Sequence, residues 1–123
     1  MDKLTGKKVL ITGASSGIGA ALAREFARRG ADLILLARNP QRLEAVRQEC
    51  LGLGAGETRL VQADTTDYPA IDAFASSLEG HIDFLILNAG IEKVIIRTSP
   101  TDFRVIDVQE WVDNDDSIFT LTY

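Results

Sequence analysis

One segment restricts what this chain can fold into more than any other: Thr12-Gly13-Ala14-Ser15-Ser16-Gly17-Ile18-Gly19. It lies between an apolar run, Val9-Leu10-Ile11, and an alanine-rich stretch over residues 17–29. The run reads as a short buried strand. The stretch reads as an amphipathic helix, because Ile18, Leu22 and Phe26 recur every four residues on one face. Arg28 and Arg29 fall in its last turn, where cations suit the helix dipole, and Gly30 follows as a stop. A strand that turns through glycines into a helix lets the backbone approach a ligand with no Cβ in the way. The helix N-terminus offers that ligand N–H groups without intrahelical acceptors and the positive end of the dipole. Both features suit a pyrophosphate, and Ser15 and Ser16 add hydroxyl donors. The competing reading is a tight strand-to-helix turn that binds nothing.

The same alternation continues downstream. Leu33-Ile34-Leu35-Leu36-Ala37 reads as a second strand, followed by a polar helix from Pro40 that ends before Gly52. Residues 58–63 read as a third strand. Asp67 and Pro69 open a helix with Ile71, Phe74, Ala75 and Leu78 on one face, and residues 82–87 form a fourth apolar run. Strands alternating with helices predict an α/β fold, a doubly wound parallel sheet with helices on both faces. Phe84-Leu85-Ile86-Leu87 is apolar at every position, as suits a strand covered on both faces. In a four-stranded half-domain that strand stands at an edge, with backbone groups unpaired. A fifth strand is therefore expected, and the sheet reads as incomplete: about four strands plus a C-terminal segment.

Residues 91–123 have another texture, with Glu92, Asp102, Asp107, Glu110, Asp113, Asp115 and Asp116 against Lys93, Arg97 and Arg104. Val105, Val108 and Val112 allow a helix, while Phe103 and Val105 allow a strand. The organisation expected is one domain over all 123 residues, with a core at 7–90 and a tail or continuation at 91–123. The net charge of −5 argues against nucleic acid or an anionic membrane as partner, since both require a basic face. Cys50 is the only cysteine, so no intramolecular disulfide can form, and packing is the expected role of a lone thiol. The first residues lack the apolar stretch of a signal peptide, and no run approaches the roughly 18 apolar residues of a membrane span. A soluble, cytoplasmic protein is the expectation.

Thr-Gly-x-x-x-Gly-x-Gly, as distinct from Gly-x-Gly-x-x-Gly, resembles the cofactor loop of the short-chain dehydrogenase/reductase family. Asn88-Ala89-Gly90 after the fourth strand and Asp64 closing the third resemble two further family elements, in the family's order. The resemblance covers residues 7–90. It implies a Rossmann fold with a nicotinamide dinucleotide across the C-terminal strand ends. It implies cofactor binding by Thr12, Gly13, Ser15, Ser16, Gly17, Ile18 and Gly19. It gives Asp64 a contact to the adenine ring, and Asn88, Ala89 and Gly90 a part in shaping the sheet and cofactor pocket. Plainer readings stand beside these: Asn-Ala-Gly is ordinary turn chemistry, and Asp is common at strand ends.

The second strand bears on which nicotinamide is bound. NAD enzymes of this architecture carry an acid at its end to bind the ribose hydroxyls. Here that residue is Ala37, followed by Arg38, a permanent cation whose fork matches a 2′-phosphate. NADP(H) is therefore expected ahead of NAD(H). The alternative is that Arg38 is a solvated charge like Arg42 and Arg47.

The resemblance also implies catalysis by a Tyr-x-x-x-Lys pair, an upstream serine and an asparagine on the preceding helix. The tyrosines here are Tyr68, with Asp72 four residues on, and Tyr123, so the pair is absent from these 123 residues. One remnant resembles the family's fourth helix: Trp111 followed by Asn114, Ser117, Phe119 and Thr122, with Asn114 at the catalytic asparagine. A competing register sets Gln109 there instead. No metal site is expected, since the acidic run 113–116 has Ile118 where a calcium loop requires glycine. His81 reads as a surface-loop residue.

The leading expectation is thus the NADP(H)-binding portion of an oxidoreductase that moves hydride between nicotinamide and a carbonyl or alcohol. This chain alone is expected to be inactive. The rivals are a non-catalytic nucleotide-binding or interaction module and an unstable truncated product. The small-molecule substrate and a homo-oligomeric state stay open.

Overall fold

The computed structural model describes residues 3–15, 17–64, 69, 74, 82–87, 93–97 and 103–107; at 87 and in the last two segments it describes the backbone. Six strands and two helices lie within these residues: β1 (Lys8–Thr12), α1 (Gly17–Arg28), β2 (Asp32–Ala37), α2 (Pro40–Leu53), β3 (Thr58–Gln62), β4 (Phe84–Leu87), β5 (Lys93–Arg97) and β6 (Phe103–Asp107). They form one sheet in the order β3-β2-β1-β4-β5-β6. The first four strands in that order pair in parallel, while β5 pairs antiparallel with β4 and β6 antiparallel with β5.

The parallel half follows from local sequence. β1 and β2 are the central strands, and Val9, Ile11, Leu33 and Leu35 are buried between layers. Near-continuous apolar runs suit strands covered on both faces. Helix α1 buries Gly19, Ala20, Leu22, Ala23, Phe26 and Ala27. Most of these are small, so the helix can lie close on the sheet, and Phe26 meets Phe84 edge to face at 4.9 Å. Ile18 was expected on that face and is instead 40% exposed. A stripe of residues four apart drifts by about 40° per step around an α-helix, which leaves Ile18 outside the face centred near Ala23 and Ala27.

Helix α2 starts at an Asn39 cap whose side chain accepts from the Arg42 N–H at 3.0 Å, with Pro40 in the first turn. It runs through Gly52, past the expected end. The stop is Gly54, which takes the left-handed conformation (φ 113°), while the Ala55 N–H donates to the Cys50 carbonyl at 3.1 Å. Ala55 packs against the core, and that contact accompanies the left-handed cap here rather than at Gly52. Leu43, Val46 and Cys50 form the buried stripe of α2. Burial pushes the Cys50 thiol up to about 11, with the charge of Arg24 acting weakly the other way.

The edge expected at β4 is occupied. Val94-Ile95-Ile96 supplies the missing neighbour, in antiparallel register from Phe84 opposite Ile96 to Leu87 opposite Lys93. Residues 103–107 take the strand alternative, not the helical one. The connection between β4 and β5 is five residues, 88–92, too short for the crossover that a parallel neighbour requires. Of the expected helix near 67–78, only Pro69 and Phe74 are described, both helical, with the Arg59 guanidinium of β3 over the Phe74 ring at 5.3 Å. No described helix is long and apolar enough to cross a membrane.

Candidate functional site

Strand register brings the described members of the predicted set to one rim. Thr12 pairs with both Leu36 and Leu87, and Ala37 pairs with Gln62. The C-terminal ends of β1 to β4 are therefore level, and Gly13, Arg38 and Asp64 follow them on the same side of the sheet. Chain order reverses at β1, with β2 on one flank and β4 on the other. In open α/β sheets the crevice at such a reversal is where ligands bind.

Among the described residues, hydrogen bonds between neighbouring strands tie the rim together. The Thr12 hydroxyl donates to the Ile86 carbonyl at 3.2 Å, which joins β1 to β4 beneath the glycine loop. The Ala14 N–H donates to the Leu36 carbonyl at 3.2 Å, and the Ala63 N–H to the Ala37 carbonyl at 3.0 Å. These bonds satisfy backbone groups that the strand ends would otherwise leave open, and they fix where each loop departs. Ala14 is fully buried, whereas Gly17 and Ile18 face outward.

Two glycines are required by conformation. Gly13 has φ 65° and Gly17 φ 58°, the left-handed region that an L side chain occupies at a cost of about 1–2 kcal/mol. At Gly17 a Cβ would meet no atom within 4 Å among the described residues. Backbone conformation, not packing against those residues, selects glycine there. Ser15 lies in the turn, half-buried. Ser16, Asn88, Ala89, Gly90 and Asn114 lie outside the described residues.

Arg38 and Asp64 converge. The Arg38 guanidinium lies 3.9 Å from the Asp64 carboxylate, and the two side chains are 80% and 43% exposed. Sequence reading singled out each for a separate reason and missed the pair. The available signal was their position: each lies just past the end of one of two neighbouring parallel strands.

A family comparison agrees with this geometry. The model of the short chain dehydrogenase family matches residues 7–114. The chain belongs to that family. It is 38% identical over 95 residues to a probable oxidoreductase of Streptomyces lividans, covering 77% of this chain and 32% of the relative. Among solved structures it is similar to a metagenomic short-chain oxidoreductase in complex with NADP, with a TM-score of 0.66 and 40% identity over 73% of this chain and 42% of the other. It is likewise similar to an NAD+-bound xylitol dehydrogenase, with a TM-score of 0.67 and 35% identity over 75% of this chain and 36% of the other. The chain thus spans about a third of the length of the curated relatives it matches.

Proposed function

We propose that Thr12, Gly13, Ser15, Ser16, Gly17, Ile18, Gly19, Arg38, Asp64, Asn88, Ala89 and Gly90 bind a nicotinamide dinucleotide, NADP(H) in preference to NAD(H). The observation that carries the reading is the open, left-handed Gly17 at the N-terminus of α1, beside the sheet's reversal point. The residues fit the group. Among the described residues nothing crowds Gly17, which leaves room for a ligand to approach the backbone, and the first N–H groups of a 12-residue helix would supply donors and a favourable dipole. Ile18, a large apolar side chain left exposed at that point, offers a surface for the ligand to cover.

The NADP(H) preference rests on Arg38. The Arg38 guanidinium is largely exposed just past the end of β2, within reach of a ligand at this rim. Ala37 is buried and uncharged, so the strand end offers no carboxylate to the ribose hydroxyls. One relative of similar fold is named as bound to NADP and another as bound to NAD+. Arg38 is the feature of this chain that favours the first.

In the whole protein, bound nicotinamide supplies the hydride acceptor or donor for oxidation of an alcohol or reduction of a carbonyl. This chain's residues hold the dinucleotide, and Asn114 keeps the role that family resemblance suggests. Residues 7–90 are the cofactor-binding core of a single domain, with 91–123 as its tail or continuation. Because no Tyr-x-x-x-Lys pair occurs in these 123 residues, the chain alone binds without turning over.

Fluorescence titration with NADPH and NADH tests the reading. NADPH should bind more tightly by roughly 10- to 100-fold, the worth of one charge-assisted contact, and Arg38→Asp should abolish the difference. Equal affinities in the parent chain contradict the NADP(H) preference; binding of neither nucleotide contradicts the cofactor reading.

A further inference from the structure

We infer that Asp64 governs how freely the Arg38 guanidinium can engage a 2′-phosphate, and so tunes discrimination between the two nicotinamide dinucleotides. The inference rests on the cofactor reading above and assigns Asp64 a task beyond contact with the adenine ring. Arg38 and Asp64 are adjacent because of the backbone. β2 and β3 pair from Leu33 opposite Thr58 to Ala37 opposite Gln62, and the Ala63 N–H donates to the Ala37 carbonyl just beyond. The two side chains leave neighbouring strand ends together, whatever rotamers they adopt.

The pair is built to be exchanged. Its separation of 3.9 Å is well beyond the short contact of a bidentate Arg–carboxylate bond, and Arg38 stands largely in water while Asp64 is partly exposed. Exposed pairs of this kind hold their partners weakly. A 2′-phosphate carries more charge than a carboxylate and offers three acceptor oxygens, so it outcompetes Asp64 for the guanidinium. Until it does, Asp64 neutralises part of the field that attracts it. The Arg38 side chain is therefore a positive group with a built-in, displaceable counter-ion. Asp64 acts as a positioning residue: it works through Arg38.

The test uses the 123-residue chain and the ratio of NADH to NADPH dissociation constants, because any adenine contact is common to both nucleotides and cancels. Asp64→Asn keeps size and an acceptor oxygen while removing the charge. It should raise the ratio roughly two- to fivefold, the range measured for exposed ion pairs. Asp64→Glu should restore the parent ratio. The gain should shrink between about 0.02 and 0.5 M salt, as screening of exposed charges requires. In an Arg38→Gln background the same Asp64→Asn change should leave the ratio nearly still. An unchanged or lowered ratio in Asp64→Asn overturns the inference and leaves the cofactor reading standing. An equal gain with Arg38 removed also overturns it, since Asp64 would then act directly on the phosphate. Loss of binding to both nucleotides in the parent chain overturns the cofactor reading and this inference with it.

Discussion

The two rims of the sheet are built from different materials. At the N-terminal rim, polar groups are buried and bonded between strand and loop. The Lys8 N–H donates to the Asp83 carboxylate at 2.9 Å, the Asp83 N–H returns a bond to the Lys8 carbonyl at 2.9 Å, and the Leu4 N–H donates to the Arg29 carbonyl at 2.7 Å. Asp83 and Arg29 are almost fully buried there. At the C-terminal rim the backbone is also tied, but the described residues there include left-handed glycines, exposed Ile18, exposed Arg38 and partly exposed Asp64. One rim holds the fold together; the other is held in place by it and left open. Substitutions should therefore divide between stability and ligand binding according to the rim they touch.

The largest effect belongs to the first rim. Phe84→Ala removes a fully buried ring that packs on Phe26 and should cost about 3–5 kcal/mol in chemical denaturation. A loss below about 1 kcal/mol would break the comparison. Next comes Cys50, buried near the C-terminal end of α2. Its thiol is raised from 9.0 to about 11 in the folded chain, so the folded state keeps its proton where the unfolded state has lost it. Stability is then fully present below about pH 9 and declines as pH rises toward about 11, by up to about 3 kcal/mol. Cys50→Ala should flatten that part of the pH–stability curve.

Smaller effects belong to the second rim. Arg38→Asp should change nucleotide selectivity by about 1.5–3 kcal/mol while moving stability by no more than about 0.5 kcal/mol, since the side chain is exposed. A change in melting comparable to the change in selectivity would show that the rims are not separable. Gly17→Ala should cost about 1–2 kcal/mol of stability through its left-handed backbone, and should weaken both nucleotides alike. It sharpens the contrast with Arg38, which distinguishes them.

Local periodicity accounts for how much of this was legible from residues alone. The β1–glycine loop–α1 unit, the β2 strand and the start of α2 each carry their signals within a few consecutive residues. Gly13, Gly17 and Arg38 could therefore be placed from the chain itself. What escaped depends on distant pairing. Lys93–Arg97 is a short apolar run with charged ends, and only the edge of β4 gives it a reason to be a strand. Residues 103–107 have mixed periodicity and become a strand once β5 is present to pair with them. The end of α2 was misread because Gly52 and Gly54 carry the same local signal. Packing of Ala55 on the core distinguishes them. The Arg38–Asp64 pair needs the order of β2 and β3, a property of the sheet and not of either segment.

The most direct test of the central claim is amide NMR of the chain titrated with NADPH. Shift changes should gather at residues 13–19, 38–39 and 63–64, and leave Leu4, Lys8 and Asp83 unmoved. Changes centred on the N-terminal rim, or none at either rim, would contradict the account.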